Sequence, residues 1–128
     1  MQRLLLGLAV VFSVACLGDG MTGSSSITGS YTLRTVNGSN LPYTVAGTGT
    51  EIVDETITLH EGFTYIKSGH TRTTTNGQMT TTNDSGSYGL QGTSITFNSN
   101  AGGQGTPALI DGNKLTIVKS GITSVYKK

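Results

Sequence analysis

Hydrophobic and polar residues alternate with a period of two along most of this 128-residue chain. Tyr31 and Leu33, for example, alternate with Thr32 and Arg34. Successive side chains of a β-strand point to opposite faces, so this pattern predicts strands with one buried face. Gly/Asn/Asp turn signals such as Asn37-Gly38 separate the runs, and from Gly29 onward no segment has the period of an amphipathic helix.

Eight or nine such runs predict an all-β domain over residues 29–128. A sheet of that length tends to curl or split, and closing it removes its exposed edges. We therefore expect an up-and-down antiparallel meander barrel, with a two-sheet sandwich as the alternative.

The apolar positions of these runs can form one continuous inner face. They are Tyr31, Leu33, Leu41, Tyr43, Val45, Ile57, Leu59, Phe63, Tyr65, Tyr88, Leu90, Ile95, Phe97, Leu109, Leu115 and Ile117. An eight-stranded barrel is either filled by such side chains or holds one small ligand. If a pocket exists, the candidate ligand-binding residues are Tyr31, Tyr43, Phe63, Tyr65, Tyr88, Leu90 and Phe97. Ile66, Ile110, Val118 and Ile122 are expected on the outside, where they could form a contact patch.

One predicted hairpin is polar on both faces. The segment 70–83 is nearly symmetrical about Asn76-Gly77, and a two-residue turn there would pair Thr75 with Gln78 and Thr74 with Met79. Such a hairpin has β propensity but almost no apolar face to bury. We expect it to form a solvated ribbon or an ordered lip at one end of the barrel.

The N-terminus has the organisation of a signal peptide. A positive start at Arg3 precedes an apolar run from Leu4 to Val14, which is too short to span a bilayer. The run ends at Ala15 and at Cys16, the only cysteine of the chain. An ordinary secretory signal, with Cys16 incidental, is the alternative interpretation.

Ser13-Val14-Ala15-Cys16 resembles the lipobox of bacterial lipoproteins. The resemblance implies a signal peptide at 1–15, a lipid on Cys16 and attachment to a membrane of the bacterial cell envelope. Leu17 in place of Asp implies the outer membrane if the source is Gram-negative. Residues 16–28, rich in Gly, Ser and Thr, are then a flexible tether spanning roughly 20 Å.

Charge and composition narrow the possible functions. Apart from Arg3, seven scattered Lys and Arg residues balance seven Asp and Glu residues, so the basic patch that nucleic-acid binding needs is absent from the sequence. There is no Gly-x-Ser-x-Gly nucleophile motif, and His60 and His70 lack metal-ligand spacing. Asp54 and Glu55 must face opposite sides of a strand, which argues against a catalytic pair. We expect no enzymatic activity, no metal and no cofactor, with a hydrolase as the weakest alternative.

Short motifs of the predicted barrel resemble small lipocalin-like lipoproteins of environmental bacteria. They are the stretch from Gly29 to Gly38 followed by Leu41-Pro42, the Leu59 to Phe63 turn, the Gly86 to Phe97 hairpin, and Val125-Tyr126-Lys127-Lys128. The resemblance implies the barrel fold. The Gly-x-Trp of true lipocalins is absent, since the corresponding position is Tyr31 and the chain has no Trp.

Two functions follow from these observations. The first is a lipid-anchored barrel of the cell envelope that binds a small apolar ligand or an envelope protein. The second is a structural or protein-interaction module whose barrel is filled and takes no ligand.

Overall fold

The computed structural model describes residues 27–128. The predicted signal peptide, Cys16 and most of the predicted tether lie outside the described residues. Within them the chain forms ten strands and no helix long and apolar enough to cross a membrane. The strands are β1 (Gly29–Val36), β2 (Ser39–Asn40), β3 (Tyr43–Val45), β4 (Thr50–His60), β5 (Thr64–Thr73), β6 (Met79–Gln91), β7 (Ser94–Ser99), β8 (Thr106–Asp111), β9 (Lys114–Lys119) and β10 (Ile122–Lys127).

Eight of these strands form a closed antiparallel barrel, which confirms the predicted all-β meander. From β4 to β10 each strand pairs with the next along the chain. β1 closes the ring, because it pairs with β10 through Leu33 and Tyr126 and with β4 through Tyr31 and Ile57. The short strands β2 and β3 are additional and lie at the edges, on β1 and β4.

The two ends of the barrel differ. The filled end carries the turns at residues 61–63, 92–93 and 112–113, and the open end carries those at 74–78, 100–105 and 120–121. Most of the core lies towards the filled end. Its buried apolar residues are Tyr31, Leu33, Val36, Ile57, Leu59, Tyr65, Tyr88, Ile95, Phe97, Ala108, Ile110, Leu115 and Tyr126.

An aromatic cluster occupies the centre of this core. The rings of Tyr65 and Phe97 meet edge to face with centroids 4.9 Å apart, and Tyr88 lies 6.3 Å from Phe97. Such edge-to-face pairs stabilise a core beyond the area they bury. The filled end is thus a packed apolar plug.

Three residues predicted to face inwards are exposed instead. Phe63 is 56% exposed because it has a positive φ of 64° in the β4–β5 turn and so precedes the strand proper. Leu90 lies on the same inward face of β6 as Tyr88, but it is near the end of the strand and is 37% exposed. Leu109 is 57% exposed because β8 buries its neighbours Ala108 and Ile110.

Because β8 buries Ala108 and Ile110 instead of Leu109, the prediction for the outer surface is also corrected. Ile110, expected outside, is 5% exposed and belongs to the core, and Ile122 is half-buried against it. Ile66 and Val118 are exposed as predicted. Leu41, Tyr43 and Ile117 are partly buried against the core, and Val45 is half-buried.

The predicted register of the polar hairpin is wrong by two residues. Met79 pairs with Arg72, not with Thr74, because the loop is longer than the two-residue turn expected. The N–H of Thr73 donates to the Gln78 carbonyl at 2.9 Å and closes the loop, and the N–H of Thr74 donates to the Gly49 carbonyl beside β4. A shift of two residues keeps every side chain on its face. The hairpin forms a lip at the open end, joined to β4.

Candidate functional site

A cavity of about 670 Å³ opens at the open end of the barrel. This volume lies within the range of ligand pockets, about 300–1,000 Å³. Seven barrel strands and two loops contribute to its lining. The lining residues are Ile52, Asp54, Glu55, Lys67, Thr71, Thr82, Asn83, Asp84, Ser99, Gly102, Gln104, Thr106, Ile117, Lys119, Ser120, Ile122, Ser124 and Tyr126.

The cavity exists because inward positions change in size along the strands. Towards the filled end they are mostly large and apolar, whereas towards the open end they are small or polar, as at Gly69, Thr82, Ser99 and Ser124. Small side chains cannot meet across the lumen of an eight-stranded barrel. The lumen is therefore half filled and half open.

Glu55 lies at the floor of the cavity. Its Oε1 accepts a hydrogen bond from the hydroxyl of Tyr126, a residue that is only 2% exposed. Its Oε2 lies 3.9 Å from Nζ of Lys67 on the neighbouring strand. Burial, and then the charge and hydrogen bond of Glu55, raise the pKa of Tyr126 above its ordinary value. Tyr126 is therefore a neutral donor.

A second carboxylate, Asp84, faces the cavity from β6. Oδ2 accepts a hydrogen bond of 2.8 Å from the Tyr65 hydroxyl, and Oδ1 accepts one of 2.5 Å from the Ser99 hydroxyl. Burial acts to raise the pKa of Asp84, but hydrogen bonds from Ser99, Tyr65 and the Ser85 backbone, with the charge of Lys67, bring it below the ordinary value. Burial and Asp84 together raise the pKa of Tyr65 to about 12.

Lys67 is the cation shared by the two carboxylates. It pairs in register with Asp84 across β5–β6, its charge lowers the Asp84 pKa, and it forms the ion pair with Glu55. The floor thus carries two carboxylates and one ammonium group. A further lysine, Lys119, ends β9 at the mouth of the cavity and is exposed.

A histidine–carboxylate hydrogen bond and an ion pair connect β4 to β5 near the mouth. His70 Nδ1 lies 2.8 Å from an Asp54 oxygen, and the Arg72 guanidinium contacts Glu51 Oε1 at 2.7 and 2.8 Å. The β-bulge between Ile52 and Asp54 separates the two pairs. Within residues 27–128, no group of three or more His, Cys, Asp or Glu side chains is arranged to hold a metal ion.

None of the predicted ligand-binding residues lines this cavity. Most of them form the plug below it, Tyr43 is half-buried and hydrogen-bonded to Asn37, and two are exposed at the filled end. Tyr31, Tyr65, Tyr88 and Phe97 are in the plug, and Phe63 and Leu90 are the exposed pair. Tyr65 alone contacts the site, through its hydroxyl on Asp84.

The residues that sequence reasoning missed are Glu55, Lys67, Asp84 and Tyr126. A usable signal was present, because Lys67 lies two positions after Tyr65 and Asp84 four before Tyr88, which are the inward positions of a strand. Asp54 and Glu55, predicted to face opposite sides, pair with His70 and with the buried Gly69 respectively, and both border the cavity.

The chain was compared with protein families, with curated proteins and with solved structures. No family, no curated protein and no solved structure matches it.

Proposed function

We propose that this protein binds a small molecule in the cavity at the open end of its barrel. The observation that carries the proposal is a preformed cavity of about 670 Å³ that combines an apolar wall with convergent charged groups. Ile52, Ile117 and Ile122 supply the wall, and Glu55, Lys67 and Asp84 supply the charges. Ligand sites in proteins have this composition, apolar surface for affinity and a few polar groups for orientation.

The lining favours a ligand with a polar end over a wholly apolar one. A fatty-acyl chain at the floor would cover Glu55, Lys67 and Asp84 and remove water from them without replacing its hydrogen bonds. Burying charges in that way costs several kcal/mol, of the order expected for uncompensated polar groups. The apolar part of the ligand would instead lie against the isoleucines.

Filling the cavity provides the test. Thr82 lines the cavity, and its neighbour Thr81 is exposed on the opposite face of β6. We expect Thr82→Phe to abolish binding of small-molecule fragments and Thr81→Phe to leave it unchanged. Binding is measured by ¹⁵N–¹H chemical-shift changes at cavity residues during titration with a fragment library. If no fragment shifts these signals, or if Thr82→Phe leaves binding intact, the proposal is wrong.

We further propose that the protein is anchored to a membrane of the bacterial cell envelope by a lipid on Cys16. The lipobox-like sequence supports this, and the barrel is compatible with the lipocalin-like fold that the sequence resemblance implies. β1 begins at Gly29 at the filled end, so an anchored tether would reach the barrel from the side opposite the cavity mouth. The cavity mouth would then lie at the end of the barrel away from the attachment point of the tether, open to solutes.

Metabolic labelling tests the anchor. Cells expressing the protein should incorporate radiolabelled palmitate into it, and Cys16→Ser should remove the label and release the protein from the membrane fraction. Ser13→Ala leaves the cysteine in place and serves as the control. Label that persists in Cys16→Ser would exclude this attachment site without bearing on the cavity.

A further inference from the structure

We propose that the ligand carries a cationic group, an amine, which binds at the floor of the cavity beside Glu55 and Asp84. The inference rests on the proposed function, since it specifies the chemistry of the same cavity. Two properties of the floor lead to it, its charge and the direction of its hydrogen bonds.

The charge of the floor is negative. Glu55 from β4 and Asp84 from β6 face Lys67 from β5, which leaves one carboxylate charge uncompensated. Asp54 also borders the cavity, but its carboxylate is hydrogen-bonded to His70, its partner in register on β5, and not to a group of the floor. In a partly desolvated site an unbalanced charge attracts the opposite charge more strongly than it does in water. A monovalent cation would neutralise the floor.

The hydrogen bonds of the floor point in one direction. Tyr126 and Ser99 donate their only hydroxyl protons to Glu55 and Asp84, so neither hydroxyl can donate to a ligand. The Ser99 oxygen also accepts a hydrogen bond of 3.1 Å from the Ala101 N–H. The carboxylates of Glu55 and Asp84 are acceptors as well, and each has more acceptor sites than its hydrogen-bond donors occupy. Lys67, which is 3.9 Å from Glu55 and thus beyond hydrogen-bond distance, is the only charged donor at the floor. An ammonium group, which only donates, matches this surface, whereas a carboxylate or phosphate does not.

Lys119 is the remaining charged group of the cavity lining. It lies at the mouth and is exposed, and exposed charges are screened over about 8–10 Å at physiological ionic strength. It therefore does not reverse the preference of the deeper floor. The body of the ligand would lie between the two levels, against Ile117 and Ile122.

Three probes of the same shape test the inference: cyclohexylmethylamine, cyclohexylmethanol and cyclohexanecarboxylate, each followed by ¹⁵N–¹H spectra of the protein. We expect the amine to shift the signals of Glu55, Lys67, Asp84 and Tyr126 and to bind at least about tenfold more tightly than the alcohol or the acid. A charge contact of this kind is worth about a factor of ten in a partly buried site.

Charge variants at the floor should change the affinity for the amine in opposite directions. Glu55→Gln and Asp84→Asn should each weaken amine binding by about five- to tenfold, whereas Lys67→Gln should strengthen it, because it makes the floor more negative. Asp111→Asn changes a charge at the filled end and should have no effect. The spread of the signals in each spectrum reports whether the variant is folded.

The outcomes separate this inference from the proposed function. If the alcohol binds as tightly as the amine and Thr82→Phe abolishes both, the cavity binds ligands but the cationic class is wrong. The same holds if Lys67→Gln weakens amine binding. If none of the three probes shifts a cavity signal while other fragments do, the amine class is excluded. If no fragment of any kind binds, both proposals fail.

Discussion

The contact of Asp84 with Ser99 and Tyr65 explains how a carboxylate persists inside a small barrel. Removing a charge from water is costly unless hydrogen bonds replace its hydration. Two hydroxyl donors at 2.5 and 2.8 Å, with Lys67 nearby, provide that replacement. The lowered Asp84 pKa is the measurable result, because these partners stabilise the charged form.

This contact predicts an acid-sensitive contribution to stability. Because the folded pKa of Asp84 is lowered, the contribution is present above the unfolded pKa, about 3.9, and is lost as the pH falls through the folded value. Ser99→Ala removes a donor to the charge and should lower the free energy of unfolding by about 1.5–3 kcal/mol at neutral pH. The loss should shrink below about pH 4.

Urea unfolding of the wild type and Ser99→Ala between about pH 2 and pH 7 measures this effect. Ser87→Ala, an exposed serine on the outer face of β6, is the matched control and should change stability by less than about 0.5 kcal/mol. A Ser99→Ala deficit that is the same at acidic and neutral pH would contradict the assigned role of the Asp84 charge.

In β6, the position of Gly86 leaves no room for a side chain. Gly86 lies opposite Ser99 of β7, and a Cβ added there would lie 2.0 Å from the Asn98 carbonyl oxygen. Real Cβ atoms do not come so close to backbone, so β6 or β7 would have to move. Glycine within a strand often marks such a close approach of another backbone.

Alanine substitutions at two glycines of β6 should therefore have different effects on the free energy of unfolding. Gly86→Ala should lower the free energy of unfolding by more than about 2 kcal/mol, because the strain falls on backbone. Gly89→Ala, where a Cβ meets nothing within 4 Å, should change it by less than about 1 kcal/mol. Thermal and urea unfolding measure both, and equal costs would refute the close approach.

The strands also show which parts of the fold can be predicted from the sequence. Alternation located the strands, since it reports the two faces of each strand directly, as at Tyr31 and Leu33. It failed at β8, where neither Leu109 nor Ile110 is polar and alternation cannot choose the inward one. It also failed at the hairpin, where the N–H of Thr74 donates to the carbonyl of Gly49, a contact that is distant in the sequence.

The cavity cannot be located from the apolar residues of the sequence alone. Its position depends on small side chains from different strands, such as Thr82 and Ser124, lying at the same level of the lumen. That level is set by strand register, which only the closed barrel defines. The polar floor could have been predicted by counting every second residue from Tyr65 on β5 and from Tyr88 on β6 into the polar stretches of these strands.

At the scale of the whole molecule, the barrel separates its packed core from its open cavity. The packed aromatic plug lies at the filled end, whereas the charged groups and the mouth of the cavity lie at the open end. Large apolar side chains contribute most to the stability of a fold when they are buried. Substitutions at the two ends should therefore have different consequences.

The plug gives a matched stability prediction. Phe97→Ala, at a residue 5% exposed, should cost about 3–5 kcal/mol, because it leaves a void beside Tyr65 and Tyr88. Leu109→Ala, at a residue 57% exposed, should cost less than about 1 kcal/mol. Urea unfolding measures both. Similar costs for the two variants would show that the plug does not carry the stability.

The closure of β1 onto β10 also determines when the protein can fold. Leu33 pairs with Tyr126 near the other end of the chain, so β1 and β9 each lack a neighbour until residues 122–127 have been synthesised. Pairing over such a sequence distance is slow, and folding on a timescale of milliseconds to seconds is expected. In the meantime the open strand edges can pair with other chains. A nascent chain that stalls before β10 should therefore aggregate, and chaperones that cover strand edges should act mainly during this interval.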